Sequence, residues 1–256
     1  MQPRSHWGHH VTMIPDAANA SVFTACAFVA LPIAILMLVL LVVRRACKQP
    51  PTVVALAFAG WLLLTGLLAA SGRFADFTAR PPLLPLIVVG AMIGAVGFAR
   101  SRYGRAIVEY VPLCALIVFH TFRFVLELAM NQASNDQVMP RAMSFHGYNF
   151  DIVTGVTALL LAVALHHNVA PRWLVLAWNI MGLGFLVIVA GVAIANTPLF
   201  DALGPSQRNT WIAHAPFIWL PTVLVPAALA GHLMIFAKLR ATKVALGASA
   251  LTSVPM

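Results

Sequence analysis

AIVEYVPLCALIVFHTFRFVLELAM, residues 106–130, is apolar enough to cross a bilayer, yet it carries Arg123 and Glu127 four residues apart. A charge placed in hydrocarbon costs several kcal/mol on most estimates, so two in one span need a reason. The i, i+4 spacing puts both groups on one helix face, where a pair would offset part of that cost, and His120 falls on the same stripe.

Working outward from this stretch, the chain is 256 residues long, 61% hydrophobic and only 9% charged. Its strongly positive mean hydropathy excludes a soluble core and points to an all-α, polytopic membrane helix bundle. Seven segments are long enough to span: residues 21–43, 52–71, 83–99, 106–130, 151–167, 173–195 and 213–237. The third and fifth sit near the lower length limit and are expected to stand nearly upright.

The net charge of +9 comes from basic clusters directly beside the spans, which argues for topology rather than for nucleic acid as a partner. Arg44, Arg45, Lys48, Arg100, Arg102, Arg105, Arg172, Lys238, Arg240 and Lys243 collect on one side; Arg4, Arg73, Arg80, Arg141 and Arg208 on the other. This bias predicts an N terminus outside, a C terminus inside and a plasma-membrane location, with bilayer lipid as the obligatory partner. Residues 1–20 read as an exterior polar tail without the hydrophobic run of a cleavable signal, residues 21–237 as the seven-helix domain and residues 238–256 as a cytoplasmic tail. Cys26 and Cys114 fall in spans and Cys47 on the basic side, leaving none for an exterior disulfide.

Two exterior loops are longer than connectors require. Residues 131–150 contain Ser144, His146, Tyr148 and Asn149 and lead into Asp151; residues 196–212 contain Asp201, Arg208, Asn209 and Trp211. Gly90, Gly94 and Gly97 are expected to let helices approach closely. Pro216, Pro221 and Pro226 predict a kinked or opened seventh helix, with the carbonyls of Ile212, Phe217 and Thr222 deprived of their usual partners.

The residues Arg123, Glu127, Asn149, Asp151 and His120 form the candidate ligand site, in an outward-facing pocket between the fourth, fifth and seventh helices. Asp151 can alternatively serve as a helix N-terminal carboxylate. His120, His146 and His214, with Glu127 or Asp151, have the donor types for a divalent metal, although no His-Glu-x-x-His or Cys-x-x-Cys motif fixes them. A bis-histidine haem would use His120 with His214, or His166 or His167 with His232. The tract His6, His9 and His10 can bind a metal or remain a solvated segment. Ser144, His146 and Asp151 have the residue types of a hydrolytic triad, which only geometry can establish. Lys238 lies too near the end of its span to carry a retinal Schiff base.

Phe122-Arg123 with Glu127-Leu128, Met143-Ser144-Phe145 leading to Gly147, Asn149-Phe150-Asp151 and Thr154-Gly155 resemble a family of uncharacterised bacterial integral membrane proteins. Trp178-Asn179 with Gly182, Pro216-Phe217, Trp219-Leu220-Pro221 and Leu224-Val225-Pro226 are similar to it as well. The likeness covers about the C-terminal half and implies no activity. It favours Arg123, Glu127, Asn149 and Asp151 as site residues; His120 and His146 depart from its pattern, in which amide or acidic residues stand.

Three readings follow. The leading one is a small polar or amphiphilic ligand held in the exterior pocket, Arg123 contacting an anionic group and Glu127 holding the arginine, in a sensor, transporter component or partner subunit. The second is a metal- or haem-dependent membrane enzyme on His120, His146, His214 and a carboxylate. The third is an assembly factor packed on other membrane subunits.

Overall fold

The computed structural model describes residues 16–252, with side chains up to residue 241; the tract His6, His9 and His10, Arg4 and the side chain of Lys243 lie outside that description. The described chain is all-helical: α1 (Val22–Cys47), α2 (Thr52–Ala70), α3 (Leu83–Arg100), α4 (Arg102–Tyr110), α5 (Leu113–Phe119), α6 (Phe122–Asn135), α7 (Asp151–His166), α8 (Arg172–Ala195) and α9 (Val225–Thr252). Pro51, Pro82, Pro112 and Pro171 stand immediately before α2, α3, α5 and α8. A proline cannot donate into a preceding helix and biases the residue before it away from helical backbone, so each marks a boundary.

Among the described residues six helical stretches are long and apolar enough to cross a membrane: Val22–Cys47, Thr52–Ala70, Leu83–Arg100, Leu113–Asn135, Arg172–Ala195 and Leu220–Ala241. The helix Asp151–His166 is apolar but shorter. Large apolar side chains such as Leu56, Leu63, Leu67, Ile93 and Val187 stand exposed along these helices, a surface that suggests a lipid-facing membrane protein.

The stretch 106–130 is not one helix. Pro112 separates the short α4 from α5, and the chain tightens again at His120 and Thr121, where amides bond three residues back instead of four. Residues 106–110 belong to α4, whose Ile107 is buried while Arg102, Arg105 and Glu109 are exposed. Lys238 of α9 donates to the carbonyls of Val108 and Glu109 at 2.7 and 3.2 Å, fixing the end of α4.

The start of α9 opens as the prolines foretell. A π-turn occupies Leu220–Leu224, and the Thr222 carbonyl freed by Pro226 accepts from Trp61 Nε1 at 3.0 Å. Trp219 Nε1 donates back to the Leu62 carbonyl at 3.2 Å, so two indoles fasten α2 to α9. The Phe217 carbonyl accepts from the Leu220 amide. These bonds give the opened turn a structural explanation. Within the segment read as a cytoplasmic tail, residues 238–252 are helical and belong to α9.

Among the described residues Gly90, Gly94 and Gly97 mediate no close packing: a Cβ at any of them would meet nothing within 4 Å. The close approach occurs at Gly155, where a Cβ would lie 2.3 Å from the Phe124 amide nitrogen of α6. Interhelical packing in lipid rests on such contacts, because lipid tails are as apolar as the side chains.

Two apolar clusters fill the bundle. Phe28, Met130, Met139, Met143, Trp211 and Phe217 belong to the one at the end bearing the long loops. Val43, Ile107, Ile117, Leu161, Val175 and Ile235 belong to the one at the basic end. The long loops fold inward: Val138, Met139, Met143 and Trp211 are buried, and Trp211 meets Phe28 and Phe217 edge-on.

Asp136, just past α6, ties α1 to this end. Burial raises its pKa, but bonds from Ser21 Oγ, Thr24 Oγ1, the Ser21 amide and Gln132 Nε2 prevail and hold it at about 2. Because the folded-state value lies below the ordinary aspartate value of 3.8, the stabilisation is full at neutral pH and is lost as pH falls through about 2. Asp136→Asn should therefore lower the unfolding temperature in detergent at pH 7, with the difference from wild type shrinking below pH 4. Gly155→Ala should cost about 1–3 kcal/mol by overpacking, whereas Gly184→Ala, which faces open space, should be near neutral in the same assay.

Candidate functional site

Where the two apolar clusters meet, α6, α7, α8 and α9 contribute a buried polar layer. His120, Arg123, Glu127, Asn149, Asp151, Thr154, Asn179 and His232 are each at most 5% exposed. Arg123 sits one turn before Glu127 on α6, and Asp151 opens α7 with Thr154 one turn further. Asn179 comes from α8 and His232 from α9.

The guanidinium is the hub. Its Nε donates to Asp151 Oδ2 at 2.6 Å, Nη2 donates to Asp151 Oδ1 and to the Gly182 carbonyl, and Nη1 reaches His232 Nε2 at 2.8 Å. Arginine has no acceptor, so His232 Nε2 must accept this bond. Its Nδ1 therefore carries the hydrogen, donated to Asn179 Oδ1 at 2.8 Å, and Asn179 Nδ2 returns a bond to the His232 carbonyl at 3.2 Å. The neutral tautomer of His232 follows from the network alone.

The expected pairing of Arg123 with Glu127 is not what the chain adopts. Asp151 takes the arginine in a two-bond fork, a geometry that suits a planar guanidinium better than a neighbour on its own helix. Glu127 Oε1 instead accepts from Asn149 Nδ2 at 2.7 Å, while Oε2 is buried without a partner. Asn149 also donates to the Met143 carbonyl and accepts from the Asp151 amide, so it closes the start of α7 and holds the loop against Glu127. Asp151 is thus an ion-pair partner and Asn149 satisfies the helix start.

His120 occupies the other flank of the hub. Its ring lies 4.1 Å from that of His232, with Trp178 edge-on at 5.6 Å, and both its nitrogens are buried without a hydrogen bond. Thr154 Oγ1 is likewise unpartnered. Space for the imidazoles is made by two glycines: a Cβ at Gly182 would stand 2.6 Å from His232 Cε1, and one at Gly231 2.7 Å from His120 Nε2.

The remaining histidines among the described residues do not join. His146 is exposed in a shallow cleft of about 520 Å³ lined by Arg141, Tyr148, Leu203 and Gln207, and His214 is half-buried ahead of the π-turn. Among the described residues no group of three or more His, Cys, Asp or Glu side chains is placed to hold a metal ion. His232, one partner in a haem pairing, has both nitrogens engaged. Ser144 donates to the Arg141 carbonyl and Asp151 is bound to Arg123, so no triad forms. His232, Asn179, Thr154 and Gly182 complete the cluster although sequence reasoning left them out of the site. Their signal was an amide and an imidazole inside apolar spans, without any spacing to link them.

A family model described as a domain of unknown function (DUF8737) matches residues 81–240, and the chain belongs to that family. The match runs from just before α3 into α9 and contains every member of the polar layer. No curated protein and no solved structure matches the chain.

The network makes a specific forecast. Nitrogen-15 spectra of histidine-labelled protein should show one histidine as the Nδ1–H tautomer, and this signal should vanish in His232→Phe. Asn179→Leu should remove the acceptor from that buried N–H and cost about 1–3 kcal/mol in detergent unfolding.

Proposed function

We propose that this member of the domain-of-unknown-function family is a seven-pass plasma-membrane protein, N terminus outside and C terminus inside, that binds a small polar or amphiphilic ligand at the polar layer in the outer half of its bundle. Support for the topology comes from counting α5 and α6 as one pass and the short α7 as another. Strict alternation then gathers Arg44, Arg45, Lys48, Arg100, Arg102, Arg105, Arg172, Lys238 and Arg240 at one end with only Glu109 opposing them. The other end holds Arg73, Arg80, Arg141 and Arg208 with Asp76, Asp136 and Asp201.

One observation carries the ligand reading. In a layer where Arg123, Asp151, Asn149, Asn179 and His232 are hydrogen-bonded, Glu127 Oε2, both His120 nitrogens and Thr154 Oγ1 are buried with none. An unsatisfied buried polar atom costs about 1–3 kcal/mol, more if charged, so these atoms favour a guest that supplies donors and acceptors. Arg123 is already engaged, which moves the ligand contacts from the arginine to Glu127 and His120. The Arg123–Asp151 pair then acts as the rigid frame between them.

Binding requires opening: Asn149 ties Glu127 to the Met143 carbonyl, so release of the loop of residues 136–150 is the movement that would uncover the carboxyl.

The test is a thermal-shift screen of the purified protein against small polar and amphiphilic compounds, followed by affinity measurement on the best stabiliser. Glu127→Gln or His120→Phe should weaken binding about tenfold or more, as loss of one buried bond implies, and Lys48→Gln should not. Affinity unchanged by both substitutions would place the ligand elsewhere and defeat the reading.

A further inference from the structure

Resting on that ligand-binding reading, we infer that the ligand is a monovalent cation, in the manner of a small organic ammonium, and that it displaces a proton from Glu127. Charge in a layer closed to solvent has to balance within the layer. Arg123 and Asp151 cancel. His232 is neutral, because its Nε2 accepts from the arginine while its Nδ1 donates to Asn179. His120 lies against the His232 ring with neither nitrogen on a carboxylate, so it forms no ion pair in the layer.

Glu127 alone is uncompensated. Ionised, it leaves the layer with a net charge of −1 away from water, with Arg123 already committed to Asp151. Protonated, it leaves the layer neutral. Since Oε1 accepts from Asn149 Nδ2, the proton belongs on Oε2, the oxygen without a partner.

A guest that replaces this proton must bring one positive charge and at least one donor. The exchange balances: the Glu127 carboxylic acid and a cation in water become a carboxylate–cation pair and one proton in water. Anions fail the same count, since they would meet Asp151 and Glu127 with no free guanidinium to receive them. Buried beside this carboxyl are Met130, whose sulfur lies 4.0 Å from Asn149 Nδ2, and Met143, whose carbonyl accepts from the same amide. Methionine is polarizable and adaptable in shape, and suits the alkyl shell of an organic cation. Because proton and cation compete for one oxygen, affinity should rise with pH.

Infrared difference spectroscopy on the whole protein in detergent tests this directly. The ligand-free wild type should show a protonated-carboxyl C=O band that shifts in heavy water and is missing in Glu127→Gln, which keeps the Asn149 bond. Methylammonium chloride should abolish the band and release about one proton per protein to an indicator dye, whereas equal tetramethylammonium or sodium chloride, which bring the charge without a donor, should not. Should Glu127→Gln fail to fold, the isotope shift and cation response of the wild-type band give the same answer. Absence of the band, or a band that no cation moves, would overturn the inference. A neutral or anionic compound that binds in a manner dependent on Glu127 and His120 while the band persists would overturn it and leave the ligand reading standing; loss of every such binder would remove both.

Discussion

The buried ion pair between Arg123 and Asp151 is the constraint on which the rest of this fold depends. Each ion taken from water costs several kcal/mol, and the pair repays that only if every other donor and acceptor finds a partner. The arginine consequently dictates what its neighbours must be. It needs a carbonyl from α8, which Gly182 presents, and an acceptor from α9, which His232 supplies only as one tautomer. That tautomer in turn requires the Asn179 amide. Four helices are thereby registered against one guanidinium.

Such specification matters more in a lipid-facing bundle than in a soluble core. Apolar contact between helices gains little over apolar contact with lipid, so the apolar clusters at the two ends hold the helices together without fixing their relative depth. The polar layer does that. Gly155, Gly182 and Gly231 let the backbones and imidazoles approach the hub, and the indoles of Trp61 and Trp219 take up carbonyls where α2 meets the opened start of α9. The unpartnered atoms of Glu127, His120 and Thr154 stand out because so much around them is satisfied.

Much of this was legible in the sequence and the rest was hidden for definable reasons. Apolar runs located five of the seven spans to within four residues, missing by more at 106–130 and 213–237 where prolines reset the helix start, and charge inside a span located the layer at Arg123 and Glu127. The arginine's partner was misread because i, i+4 spacing makes a local pair plausible, while the competing carboxylate, Asp151, is 28 residues away and becomes adjacent only when α7 packs on α6. The glycine stripe in α3 misled because spacing says which face glycines share but not what that face meets. Residues 106–110 looked continuous with the following span on hydropathy, yet Pro112 was sufficient to divide them. His232 and Asn179 were visible as polar groups in apolar spans, but nothing along the chain states that they share a depth with Arg123.

The most direct test of this account is a pair of double-mutant cycles on unfolding in detergent, one on Arg123→Met with Asp151→Asn and one on Arg123→Met with Glu127→Gln. The account predicts a coupling of about 2–3 kcal/mol in the first cycle and less than about 0.5 kcal/mol in the second. The reverse order would restore Glu127 as the arginine's partner and contradict the arrangement from which the site, its charge and its function are argued.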